Sequence, residues 1–229
     1  KLREFQKIET SDDLAKIFGM SYKELSEIIY KLPFEYRYAH FEISKKDGTK
    51  RIISKPNKKL KQIQKTLSET LYSIYKPRPS VHGFVKQRSV VSGAEKHLYK
   101  QSILNIDLEK FFDSIHFGRI KYLFMAYPLN CNEEIATILA HISCHDNKLP
   151  QGAQTSPILT NMICYKLDKE LQNIARLCNA TYTRYADDIT FSFTTKKKKI
   201  PKQIVEDTDV LTISPVLQQI IENNGFRIN

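Results

Sequence analysis

The chain has 229 residues, with 36 Lys and Arg against 25 Asp and Glu, a formal charge of +11. Apolar content of 41% and charged content of 27% exclude a disordered or fibrous chain and describe a soluble globular one with ample core. A pI near 9.4 without a hydrophobic span points to nucleic acid before membrane. Cys131, Cys144, Cys164 and Cys178 form no C-x-x-C pair, and nothing marks a secretory leader, which fits a reducing cytosol. The first residue is Lys1, so the natural N-terminus is expected to lie outside this sequence.

Residues 11–30 read as two short helices. Ser11 caps the first, Gly19 ends it, and Ser21 to Glu24 is a capping box opening the second. Their outline is that of a helix-turn-helix, with a plain αα-hairpin the simpler reading. Tyr36 to Ile43 and Lys50 to Ser54 read as strands joined around Asp47-Gly48. A helix covers Leu60 to Tyr75 before Pro77 and Pro79 break it. Val81 to Val85 is a short segment, followed by a helix over Val90 to Tyr99. Ser102 to Asp107 is apolar, strand-like and ends in an acid.

Helices follow over Phe117 to Ala126 and Asn132 to Ser143. His141, Cys144 and His145 fall at i, i+3 and i+4, the spacing of one helix face. Ordinary packing is the plain reading, and zinc is the alternative, although a fourth ligand has no evident source. Ser156-Pro157 supplies an N-cap and N1 proline to a long helix running towards Ala175. Ala180 to Tyr185 and Ile189 to Phe193 are strands of a hairpin, and Lys196 to Asp209 is a polar, basic loop. Ser214-Pro215 opens a last helix, which Gly225 closes before Phe226-Arg227-Ile228. Without repeats or a long linker, the pieces make one continuous α+β body.

Chemistry concentrates at Tyr185-Ala186-Asp187-Asp188, where two adjacent acids sit at the hairpin tip. A buried carboxylate is costly unless paired or bound to a metal, so divalent-cation binding competes here with an Asp-rich turn. Asp107 ends a second apolar strand. If both strands lie in one sheet with their acids at one edge, the cluster suits two-metal phosphoryl transfer, with cations ~3.5–4 Å apart. Between them, Leu149 to Pro157 combines a glycine turn, amide side chains and a helix N-terminus, features that allow close approach to a nucleotide.

The order of Asp107-Leu-Glu-Lys-Phe-Phe112, Leu149-Pro-Gln-Gly152 and Tyr185-Ala-Asp-Asp188 resembles that of reverse transcriptases. Upstream, Lys50 to Pro56 is similar to the fingers motif of bacterial members. Val81-His82-Gly83-Phe84, Arg88-Ser89 and Ala94 to His97 resemble the segment before their first catalytic strand. Asn224 to Asn229 resembles the helix-to-strand motif after the catalytic hairpin. The likeness covers roughly residues 35–229 and looks most like retron-type and related phage-defence enzymes. Gly93 stands where the retron pattern has Asn, and the 196–212 loop is longer than usual.

The resemblance implies a right-hand polymerase fold: an antiparallel palm sheet backed by helices, with a mixed α/β fingers subdomain. Residues 1–34 would be an N-terminal helical segment, 35–100 fingers, and 101–229 palm with residual fingers helices around 117–148. The thumb is expected to lie outside this sequence. The implied activity is RNA-directed DNA synthesis with two Mg2+ ions, an RNA template, a DNA or RNA primer and deoxynucleoside triphosphates. A cytoplasmic bacterial setting and an associated effector protein are further implications.

By motif matching, Asp107, Asp187 and Asp188 are catalytic and metal-binding, with Leu108 contributing backbone near the metals. Phe112 resembles the gate against a ribose 2′-hydroxyl. Gln151 and Gly152 would line the nucleotide, and Lys50 and Arg51 would meet its triphosphate. Arg88, His97, Arg184 and Tyr185 are candidates for nucleic-acid contact. A non-catalytic RNA-binding scaffold is the alternative of another class. Template-independent or protein-primed synthesis by a defence-associated or group II intron-like relative is a third reading, although none of the twelve tyrosines stands out as a primer.

Overall fold

Side chains that bond their own backbone start most of the helices. In the computed structural model, which describes residues 1–44, 48 and 50–229, capping boxes open three short helices. After α1 (Leu2–Phe5) comes α2 (Ser11–Ile17), capped by Thr10 and not by Ser11. Thr10 is the extended residue, and its hydroxyl accepts from Asp13 N–H. The Ser21–Glu24 box opens α3 (Tyr22–Ser26), which runs on into a π turn over Glu27–Lys31.

The first hairpin pairs β1 (Tyr38–Ser44) with β2 (Lys50–Pro56), from Tyr38 opposite Pro56 to Ser44 opposite Lys50. The strand starts later than expected because Phe34–Tyr36 forms a 3-10 turn after Pro33. Asp47 of the expected turn, with Lys45 and Lys46, lies outside the described residues.

Asn57 caps α4 (Lys58–Ile74), and Ser89 caps α5 (Val90–Ala94). The helix expected to reach Tyr99 tightens into a 3-10 turn at Glu95–His97, where the His97 ring is held by Ser192 and Thr183. Next come β3 (Ser102–Asp107), α6 (Phe117–Met125) and α7 (Glu133–Ser143).

The long helix expected from Ser156 is two: α8 (Ser156–Ile163) and α9 (Tyr165–Leu177), interrupted at Cys164 with ψ near 0°. Ser156 does not cap; its hydroxyl donates to the Pro150 carbonyl at 2.6 Å. The chain finishes with β4 (Thr181–Tyr185), β5 (Asp188–Phe193), β6 (Val205–Asp207), β7 (Thr212–Ile213) and α10 (Pro215–Asn223). The β6–β7 pair replaces part of the expected basic loop. Ile204 and Val205 are fully buried there, so apolar burial organises an otherwise polar stretch.

The chain forms two compact units. One comprises Lys1–Lys76 and Phe112–Ile163; the other comprises Pro77–Phe111 and Cys164–Asn229. Residues 77–100, expected with the fingers, thus pack with the sheet that carries the acids. In the first unit, Leu60, Ile63, Leu67 and Leu71 bury one stripe of α4 at helical spacing. They share that unit's core with Ile135, Ile138, Leu139 and Ile142 of α7. In the second, a three-stranded antiparallel sheet has the order β3-β5-β4. Alternate residues Leu104, Ile106, Ile189, Phe191 and Tyr182 are buried, as are Leu167, Leu171 and Ile174 of α9, which packs on β4.

Candidate active site

Antiparallel register puts Asp107 of β3 directly opposite Asp188 of β5, and Tyr185 of β4 opposite Asp188 on the other side. Asp107 and Asp188 are exposed while the neighbouring Ile106 and Ile189 are fully covered, so the pleat turns both acids away from the apolar core. Asp187 lies in the two-residue turn between the strands, and Leu108 N–H donates to its carbonyl at 3.2 Å. Partial desolvation beside the sheet first, and then the charges of Asp187 and Asp107, raise the Asp188 carboxyl above its ordinary value. The three carboxylates therefore feel one another.

This donor set suits a hard divalent cation, which takes carboxylate oxygens and offsets the repulsion that raises Asp188. Among the described residues, no three His, Cys, Asp or Glu side chains are grouped so that they could hold a metal ion as they stand. The same holds for the zinc alternative. The helix ends at Ser143, so Cys144 and His145 leave the face that His141 occupies. His145 instead stacks on Phe34 and Tyr38, and His141 packs against Tyr30 and Phe117.

The turn itself is held from several sides. Ala186 has φ 57°, a left-handed conformation that costs a non-glycine residue roughly 1–2 kcal/mol. His82 N–H donates to the Arg184 carbonyl at 2.8 Å, and Arg184 N–H donates to the Ser80 carbonyl at 2.9 Å. Gly83 then lies so close that a Cβ there would stand 2.4 Å from the Ala186 nitrogen. Val81-His82-Gly83 is thereby a parallel rail beside β4. At the far edge of the sheet, Leu108 pairs with Ile228, and Asn229 Nδ2 donates to Asp107 Oδ2 at 3.0 Å.

Several sequence assignments change. Arg184 is completely buried, with Nε and Nη2 donating to Asp168 Oδ1 and Oδ2 at 2.7 and 2.8 Å, so it does not reach nucleic acid. His97 is buried too, its two ring nitrogens 2.6 Å from Ser192 Oγ and 2.7 Å from Thr183 Oγ1. Burial, then Lys100 and His82, push its pKa down, which favours a neutral cross-link over a phosphate contact. Arg88 donates to the Arg78 carbonyl at 2.7 Å and to that of Val81, clamping the loop before the rail. Tyr185 remains partly exposed beside Asp188.

The expected nucleotide-binding residues fall in the other unit. Gln151 accepts from Ser54 N–H at 2.7 Å through its backbone carbonyl. Gly152 has φ 116°, and a Cβ there would stand 2.8 Å from the Ser54 carbonyl oxygen. The Gln-Gly turn is therefore also a packing device against β2. Lys50 pairs with Glu42 at 2.6 Å, Arg51 is exposed, and Phe112 is half-buried.

Sequence reasoning missed Asp168 and Asn229. For Asp168 a signal existed: an acid lies beside Leu167 and three residues before Leu171, on the apolar stripe of an amphipathic helix.

The family model described as reverse transcriptase (RNA-dependent DNA polymerase) matches residues 43–229. The retron Ec86 reverse transcriptase of Escherichia coli is 37% identical over 95% of this chain and 64% of its own length. The retron Mx162 reverse transcriptase of Myxococcus xanthus is 32% identical over 97% of this chain and 49% of its own length. For the retron Mx65 reverse transcriptase of Myxococcus xanthus the identity is 34%, over 80% of this chain and 47% of its own length. The chain thus spans about half to two thirds of the length of these curated relatives.

Proposed function

The chain belongs to the reverse transcriptase (RNA-dependent DNA polymerase) family, and from that premise we propose that it carries the catalytic acids of an RNA-directed DNA polymerase. The observation that supports this most is the Asp107–Asp188 pair across the β3–β5 ladder, with Asp187 in the adjoining turn. In this reading Asp107, Asp187 and Asp188 hold two Mg2+ ions, with Leu108 contributing backbone beside them. Bound there, the ions would supply charge stabilisation to the attacking and leaving oxygens. The primer 3′-hydroxyl gives up its proton to solvent as its oxygen bonds to the nucleotide α-phosphorus, the bond from that phosphorus to the bridging β-phosphate oxygen breaks, and pyrophosphate leaves.

Lys50 and Arg51 are assigned to the triphosphate, Gln151 and Gly152 to the nucleotide, and Phe112 to discrimination against a 2′-hydroxyl. Tyr185 is assigned to the primer end. The sheet-bearing unit takes the palm role, and the unit with β1 and β2 takes the fingers role. The proposal extends to a noncoding RNA template, a bacterial cytoplasmic setting, a part in anti-phage defence and an effector partner. Among the described residues no helix is long and apolar enough to cross a membrane. RNA filter binding paired with primer extension on an RNA template tests the proposal. Binding with Mg2+-dependent extension is expected; binding without extension would make the chain an RNA-binding scaffold.

A further inference from the structure

We propose that the buried Arg184–Asp168 pair is a positioning device for the acid turn, setting Asp187 against Asp107 and Asp188 and thereby the affinity of the site for divalent cations. The inference rests on the metal reading above and adds two residues to it.

The strand period explains how Arg184 comes to be inside. Tyr182 and Arg184 lie on the α9 side of β4, while Thr183 and Tyr185 lie on the acid side. Asp168, in the first turn of α9, accepts from Tyr182 Oη at 2.6 Å and from Arg184 Nε and Nη2 at 2.7 and 2.8 Å. That bidentate pair fixes the plane of the guanidinium. Nη1 then donates to the carbonyl of Ala186 at 2.8 Å. One side chain therefore joins the helix behind the sheet to the left-handed residue that immediately precedes Asp187.

A purely structural role explains less. Burying an ion pair of this kind brings little net stability over apolar residues of similar size, because desolvation offsets the attraction. The planar fork, however, does what an apolar side chain cannot, since it holds a backbone carbonyl in a turn that alanine does not favour. The rail at His82-Gly83 and the Leu108 N–H bond hold the turn from other directions, so Arg184 completes an over-determined backbone.

Two variants test this. Arg184→Lys keeps the charge and loses the fork. The double variant Asp168→Leu/Arg184→Met removes the buried charges together, takes the acceptor from the Tyr182 hydroxyl as well, and is expected to fold. Mn2+ binding is measured by calorimetric titration and thermal melting by circular dichroism, with wild type and Asp187→Asn alongside. Both variants are expected to melt cooperatively and to bind Mn2+ about 10–100-fold more weakly, the range for residues that orient metal ligands. Primer extension should need correspondingly more Mg2+ and recover at saturation, a change in metal requirement more than in kcat.

Wild-type Mn2+ affinity in both variants, with only the melting temperature lowered, overturns the proposal and leaves the pair structural. Failure of both variants to fold also overturns it. Absence of Mn2+ binding by wild type, or equal binding by Asp187→Asn, sinks the metal reading itself and this inference with it.

Discussion

Two antiparallel hairpins carry most of the charged motif residues, and they are secured in opposite ways. The β1–β2 hairpin is held near its Tyr38–Pro56 end: Tyr38 Oη accepts from Gln64, Ser54 N–H donates to the Gln151 carbonyl, and the His40 and His145 rings meet at 3.3 Å. Most of its other described side chains are exposed, Lys50 and Arg51 among them. The β4–β5 hairpin is instead fixed at its turn, by a buried ion pair behind, a glycine rail beside it and a backbone bond from Leu108. Carboxylates that share a cation need fixed relative positions, whereas long cationic side chains reach their anions from an exposed strand.

Substitution of the two packing glycines tests the contrast most severely. Gly83→Ala sets a Cβ 2.4 Å from backbone nitrogen, so backbone must move; a loss of about 3 kcal/mol and of Mn2+ binding is expected. Gly152→Ala meets the Ser54 carbonyl at 2.8 Å with φ 116°, and should cost roughly 1–3 kcal/mol while Mn2+ affinity stays. Chemical denaturation and calorimetry on both variants check this. Loss of Mn2+ affinity in Gly152→Ala would break the contrast.

A smaller effect is expected from pH. Burial first, and then His40, hold the His145 imidazole down to about 4 from 6.5; Arg37 and Lys148 act the same way and Asp146 opposes them. The unfolded chain therefore binds the extra proton between these values. Stability is full above 6.5 and is lost as pH falls towards 4. His145→Phe removes that titration and should flatten the acid limb of the stability curve, by on the order of 1–3 kcal/mol in total. His82, His97 and His141 are shifted in the same direction, so part of the limb remains. An unchanged limb would mean that the imidazoles do not secure the β1–β2 hairpin.

Much of this was legible from residue order. Period-two alternation ended at acids in β3 and resumed after them in β5, and that local pattern marks both strands and their exposed carboxylates. Partners were not legible, because they depend on which elements the fold brings together. Arg184 precedes Tyr185 in an exposed-looking motif, yet its neutralising acid lies on α9, in a helix that read as continuous from Ser156. His97 likewise looked available until Ser192 and Thr183, some ninety residues later, took both nitrogens. The β6–β7 pair escaped notice because two buried aliphatics were outweighed by the surrounding lysines.

The central claim is that Asp107, Asp187 and Asp188 act together on a nucleotide. Its most direct test is Mg2+-dependent deoxynucleotide incorporation on a primed RNA template by wild type and by Asp187→Asn, with circular dichroism confirming that both are folded. Incorporation by wild type and a loss of at least about a thousandfold in the variant are expected, on the scale of removing a principal electrostatic group from an active site. Undiminished incorporation by folded Asp187→Asn would contradict it.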